Sequence, residues 1–118
     1  MAATKITVTK LKRNSASAVP ATAAVDTSAG AELDLSGISD ERLLIVLENA
    51  ASAAKKATIL KGNGIAGVAD LEISVPATSK YCIVVESSKF KNVSGTNSGK
   101  MFIKGEDTNI KVAAVYLP

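Results

Sequence analysis

A glycine-rich segment, KGNGIAG at residues 61–67, contains the spacing G-x-G-x-x-G. It follows the apolar run 57–60, and a second apolar run, 81–85, ends at the acid Glu86. In dinucleotide-binding folds such glycines let the backbone approach a pyrophosphate, and the acid binds a ribose hydroxyl. The first hypothesis to consider is therefore a nucleotide-dependent enzyme.

The elements that would have to position this site do not favour the hypothesis. A helix would have to begin directly after Gly67, but Leu71, Ile73 and Val75 alternate with polar residues as in a strand. Pro76 would also end a helix early, and too little chain follows Glu86 for further βα units. We therefore interpret KGNGIAG as a loop or hairpin connection, and keep the nucleotide-dependent enzyme as a rival.

Other patterns that could bind a ligand or catalyse a reaction are incomplete. Residues 94–101 resemble a phosphate-binding P-loop, but Ser94 replaces its first glycine and Met101 replaces its magnesium-binding hydroxyl. The acid pairs 40–41 and 106–107 lack the ligand spacing of a cation-binding loop. The chain has no histidine, and no nucleophile has a base beside it. We expect no catalysis, no cofactor and no metal.

Composition and length indicate one small domain with an aliphatic core. The chain has 118 residues, of which 47% are hydrophobic but only 3% aromatic, so that Ala, Val, Ile and Leu must fill the core. The single cysteine, Cys82, excludes an intrachain disulfide. Its apolar neighbours at 81–85 predict that the thiol is buried.

The N-terminal region carries the net charge of +3. Residues 1–30 contain a single acid, Asp26, and four cations: Lys5, Lys10, Lys12 and Arg13. Without aromatic residues among these cations, the pattern favours an acidic protein over nucleic acid as a partner. The N-terminus lacks the apolar core of a signal peptide, and no apolar run is long enough for a membrane span. We expect synthesis in a cytoplasm and no membrane partner.

Alternation and turn residues predict about eight short strands. Residues 5–11 alternate cleanly, whereas 14–30 are rich in Ser, Ala and Thr and are interpreted as a linker or an extended arm. Clear strands follow at 31–35, 71–75, 81–85, 101–104 and 109–117.

Residues 40–56 admit two interpretations. Ser39 would cap a helix over this range, and the Leu and Ala residues favour it. However, residues 43–47 (LLIVL) form a continuous apolar run without a polar face, as in a fully buried strand that would be followed by a turn and a strand at 57–61. We favour the strands.

The spacing of the strands predicts an all-β fold. We expect a compact antiparallel β-sandwich, Ig-like or jelly-roll-like, over residues 31–118. Residues 1–30 would form an extended basic N-terminal strand or arm with its linker.

From residue 41 onward, five segments occur in a familiar order: ERLLIVLEN, ATILKGNGIAG, DLEISVPA, VESSKFK and a closing KVAAVYLP. The phrases E-S-x-x-F and V-A-x-x-x-L-P are distinctive together. In these segments the chain resembles the small head-associated proteins of tailed bacteriophages, which are decoration or auxiliary capsid proteins often encoded beside the major capsid protein. The resemblance covers about two thirds of the chain and excludes its first forty residues.

The resemblance implies a β-sandwich on the outer capsid surface of the virion, made in the host cytoplasm and recruited as several copies, often three around a symmetry axis. It carries no active-site residues. From charge and alternation, we expect the N-terminal strand to add to a sheet edge of the major capsid protein or a sister subunit. The expected contact residues are Lys5, Ile6, Val8, Lys10, Lys12 and Arg13.

Besides the enzyme, one rival is another virion or surface module, either a tail component or a carbohydrate-binding sandwich. Sugar sites usually stack on aromatic rings, and only Tyr81 and Tyr116 offer a suitable one. This scarcity argues against carbohydrate.

Overall fold

The computed structural model describes residues 2–39 and 42–118. Over these ranges, the chain forms ten strands and a single turn of helix. In chain order, the elements are β1 (Thr4–Ile6), β2 (Val8–Lys10), β3 (Ala23–Ala24), β4 (Ala31–Asp34), β5 (Leu43–Asn49), β6 (Lys55–Ile59), β7 (Leu71–Val75), β8 (Ser79–Ile83), α1 (Ser87–Phe90), β9 (Lys100–Gly105) and β10 (Ile110–Tyr116).

The strands form two mixed sheets that pack together as a sandwich. The first sheet has the order β1-β4-β9-β6-β7, and the second has the order β2-β10-β5-β8. Because β5 occupies one edge of β10, β3 and β2 follow each other along its other edge. The predicted all-β sandwich is confirmed. Its expected antiparallel pairing needs correction, because β1 with β4 and β2 with β10 are parallel pairs.

Alternate side chains of both sheets meet in one apolar core. Leu33 of β4, Ile45 and Leu47 of β5, and Ile103 of β9 have no exposed surface. The core is mainly aliphatic, as the composition predicts, with Phe90 of α1 packed against it. Burial of this apolar surface is the main force that holds the sheets together.

The N-terminal segment differs from the expected extended arm. Residues 5–11 were expected to form one strand, but the chain leaves the first sheet after β1 and enters the second sheet at β2. Ile6 is only 8% exposed, and Val8 packs against the same core. Since these apolar side chains are covered within their own chain, residues 4–10 are part of the sandwich.

The strand interpretation of residues 43–61 is confirmed, and the helix is wrong. β5 spans seven residues, and a bend at 51–53 leads into β6, which begins two residues earlier than expected. Residues 40 and 41, where the alternative helix would begin, lie outside the described residues. The other expected strands shift by two residues or fewer at either end.

Asn49, the last residue of β5, is buried at the crossing from the second sheet to the first. Its side-chain Nδ2 donates to the carbonyl oxygens of Ala53 (2.9 Å) and Val75 (3.0 Å), and its Oδ1 accepts from the amide of Ala51 (2.9 Å). A buried amide with all these partners is stabilising, whereas an unpartnered one would be costly. Asn49 therefore fixes the turn that joins the two sheets.

Within the part of the chain that the structure describes, no helix has both the length and the apolar character needed to cross a membrane.

Candidate interaction surfaces

The outward face of the first sheet is mostly charged, apart from one half-buried phenylalanine in β9, and its charged side chains contact one another. Lys5 of β1 lies beside Glu32 of β4, whose carboxylate is 3.1 Å from Nζ of Lys100 in β9. Farther across the sheet, Nζ of Lys56 is 3.2 Å from the carboxylate of Glu72. The Lys56–Glu72 pair is exposed and the Glu32–Lys100 pair is partly buried, and charged pairs of both kinds suit a surface that stays in water.

The outward face of the second sheet is different, because β5 is apolar on both sides. Its side chains alternate between buried and half-buried, so that Leu43, Ile45 and Leu47 point inward while Leu44 and Val46 point outward. This explains the continuous apolar run in the sequence. The run predicts apolar surroundings on both faces, but the chain's own core covers only one of them.

The pairing register extends this outward surface across three strands. Val115 of β10 lies opposite Leu44, and Cys82 of β8 lies opposite Val46. We call Leu44, Val46, Cys82 and Val115 the apolar stripe. Val84, which is 56% exposed, follows β8 at one end of the stripe.

The prediction that Cys82 is buried is wrong. The residue is exposed because β8 is the last strand of its sheet and Cys82 points away from the core. An apolar run in the sequence indicated a strand correctly, but could not indicate that the strand lies at an edge.

A row of alternating charge borders the apolar stripe. Glu48 of β5 lies between Lys111 of β10 and Lys80 of β8, which are its direct cross-strand neighbours. The hydroxyl of Thr22 also donates to the Glu48 carboxylate. We call Lys111, Glu48 and Lys80 the charge row. Opposite charges on facing positions stabilise a sheet by a few tenths to about 1 kcal/mol per pair.

The linker before β3 covers part of the second sheet's outward face. Ala113 of β10 is only 2% exposed and lines a groove together with Pro20 and Ala21. The open part of the face therefore lies over β5 and β8.

The glycine-rich segment forms a loop between β6 and β7, as predicted. A side chain at Gly62 would place its Cβ 2.5 Å from the carbonyl oxygen of Lys91, and one at Gly67 would meet the backbone of Gly62. Close packing of backbone on backbone thus explains two of the three glycines. Strand β7, rather than a helix, follows the loop, so it has no helix N-terminus for a pyrophosphate.

The loop is held by a neighbouring segment and presents an apolar side chain to solvent. Asn63 accepts from the amide of Val93 (2.8 Å) and donates to the carbonyl of Ser94 (3.0 Å), while Ile65 is fully exposed. Glu86, the acid of the nucleotide hypothesis, instead lies 3.7 Å from Nζ of Lys89. In residues 2–39 and 42–118, no group of three or more acids or cysteines could hold a metal ion.

The N-terminal residues expected to form one interface do not share a surface. They are Lys5, Ile6, Val8, Lys10, Lys12 and Arg13. Ile6 and Val8 face the core, and Lys5 lies on the first sheet beside Glu32. Lys10 ends β2 in the second sheet, and the two cations after it are exposed.

The apolar stripe was missed as a candidate site, although one sequence signal pointed to it. That signal is the absence of a polar face from residues 43–47.

Comparisons with protein-family models, curated proteins and solved structures find no match. The surfaces described above are therefore the structural basis for a functional proposal.

Proposed function

We propose that the protein is a structural virion protein that decorates the outer surface of a bacteriophage head and stabilises it without catalysis. The observation that carries this proposal is the outward position of Leu44 and Val46 in β5. Apolar side chains at the centre of an open sheet face are typical of a protein contact. The sandwich would supply the rigid support for that contact.

The proposed main partner is the major capsid protein, which would cover the apolar stripe. Standard stable interfaces bury about 800 Å² on each partner, whereas the open part of this face comprises two strands of seven and five residues. A contact of that size is weak by itself. Many weak contacts on one lattice, together with contacts among a homotrimer or another symmetric cluster of copies, would raise the total affinity.

This function would place the mature protein on the capsid surface of the virion, after synthesis in the host cytoplasm. It needs neither a cofactor nor a metal. Nucleic acid is a poorer partner for this face, because the stripe is apolar and Glu48 separates the two lysines of the charge row.

The experiment is co-sedimentation with undecorated heads assembled from the major capsid protein encoded in the same genome. The wild-type chain is compared with V46K, which places a charge in the apolar stripe. T58K is the matched control, because Thr58 is a half-buried outward residue in the middle of the first sheet. A third variant replaces Lys10, Lys12 and Arg13 with serine and tests the contact that the sequence predicts.

We expect saturable binding of the wild type and T58K, and binding at least about tenfold weaker for V46K, since burying an unpaired charge costs well over 1.4 kcal/mol. Equal binding of V46K and the wild type would contradict a contact at the stripe. If only the triple serine variant loses binding, the contact lies at the N-terminal cations instead. Absence of binding by the folded wild type would contradict decoration and favour a tail component or another surface module.

A further inference from the structure

The second sheet ends at β8, and this strand has a free edge. Residues Ser79–Ile83 pair with β5 on one side, and within the described ranges no strand pairs with their other side. The free edge presents unpaired backbone donors and acceptors, which form a template for one more strand.

The side chains on the outward face of β8 restrict which strand could be added. Across the charge row, the order is Lys111, Glu48, Lys80, so that the sign alternates from strand to strand. Continuing this alternation beyond β8 requires a carboxylate beside Lys80. In the adjacent row, Cys82 of β8 lies opposite Val46 of β5. The position beyond Cys82, on the added strand, therefore favours an apolar side chain.

We propose that the free edge of β8 accepts an extended segment of a partner protein as an additional strand of the second sheet. The segment carries a carboxylate beside Lys80 and, two residues away on the same face, an apolar side chain beside Cys82. The identity of the partner rests on the proposed function, in which it is the major capsid protein. The chemistry of the segment rests on the register alone.

A second copy of β8 does not meet this requirement. The strand SKYCI contains no acid, and in an antiparallel pair of two such strands Lys80 faces either another Lys80 or a residue without charge. A lysine on an edge strand disfavours nonspecific pairing with other strands. The same residue selects a strand that brings a carboxylate.

The test uses the full chain and two synthetic peptides. In the first peptide, one glutamate and two valines alternate with threonines, and in the second, lysine replaces the glutamate. Two signals are followed at millimolar peptide: hydrogen exchange of the amides of Ser79–Ile83, and the rate at which a maleimide alkylates Cys82, the only thiol in the chain. Exchange at β7 (Leu71–Val75), one of the two edge strands of the first sheet, is the internal control.

We expect the glutamate peptide to slow both signals at β8 and leave β7 unchanged, with an affinity about threefold to tenfold above that of the lysine peptide. The variant K80E should reverse this preference, and circular dichroism checks that it is folded. Protection of Cys82 without slower amide exchange would mean contact on the face and would overturn strand addition. No protection, equal protection by both peptides, or equal protection at β7 would overturn it as well.

The same two signals are then measured on undecorated heads, which separates this inference from the proposed function. Binding to heads with unchanged exchange at β8 leaves decoration standing and contradicts strand addition. Protection by the glutamate peptide without binding to heads supports strand addition and contradicts decoration.

Discussion

The outward faces of the two sheets differ in whether their side chains have partners within the chain. On the first sheet, the carboxylates of Glu32 and Glu72 each lie within 3.2 Å of a lysine Nζ, so these charged groups have partners within the chain. On the second sheet, Leu44 and Val46 repeat outward the residue types that β5 buries inward. The difference indicates that the mostly charged first face is the better suited to water, whereas the second face is the better suited to a protein neighbour.

Both faces depend on one rigid sandwich. The largest expected effect therefore comes from a change that weakens the turn between the two sheets. N49D keeps the shape of the side chain, but it places a carboxylate against the two carbonyl oxygens that accept hydrogen bonds from the Asn49 amide in the wild type. We expect a loss of about 3–5 kcal/mol in the free energy of unfolding, as for other buried unpaired charges. Urea denaturation measures it.

The matched control for N49D is N97D, since Asn97 is exposed in the loop before β9. A loss for N49D no greater than the loss for N97D would contradict the structural role assigned to the buried amide.

The next prediction separates the two faces of β5 itself. I45A removes a side chain with no exposed surface and should lower the free energy of unfolding by about 2–5 kcal/mol, because a cavity remains in the core. V46A shortens a half-buried neighbour on the outward face and should cost about 1 kcal/mol or less. Thermal or urea unfolding of both variants checks the difference. Similar losses would mean that the outward side of β5 is already covered.

A smaller effect is expected on the charged face. E32Q weakens the contact with Lys100 and should lower the free energy of unfolding by about 1 kcal/mol, the upper end of the range for ion pairs near a protein surface, because both side chains are partly buried. The difference from wild type should shrink further in concentrated salt. Binding to heads should remain unchanged. A reduced affinity for heads would show that the first sheet also takes part in docking.

The smallest expected effect is a pH dependence of stability. Backbone amides of Ala29 and Ser28 hold the pKa of Asp26 below its usual value, and the amide of Asn109 and the ammonium group of Lys55 do the same for Asp107. Because these pKa values are lower in the folded state, the stabilisation is present above the unfolded pKa of about 3.9. It is lost as pH falls through the folded values.

Thermal unfolding between pH 6 and pH 2 should therefore show a small decrease in the midpoint at the acid end. D107N should lack part of that decrease. An unchanged acid dependence in D107N would contradict the contribution of this carboxylate.

Much of the fold follows from local patterns in the sequence. The alternation of Leu71, Ile73 and Val75 before Pro76 predicted β7 with its observed bounds, and the apolar run LLIVL predicted β5. Such patterns report which side chains share a face. They do not indicate which strand will lie beside another. The features that the patterns did not predict all depend on neighbouring strands.

Four examples show this limit. Ile6 and Val8 both point inward, but from opposite sheets, so their spacing concealed the break between β1 and β2. The two residues of β3 have no periodicity to detect. Cys82 is exposed because the order of strands ends at β8, which composition cannot encode. The apolar stripe likewise became recognisable only once the register had placed Leu44 beside Val115.

The position of β10 has a consequence for how the protein is made. This strand comes after every other element in the chain, yet it holds β5, β2 and β3 in the second sheet. During synthesis, β5 is therefore made before its neighbour β10, and its apolar side chains stay uncovered until β10 has followed. Non-local pairing of this kind slows folding and exposes the nascent chain to aggregation. Slower translation at lower temperature should therefore increase the yield of soluble protein.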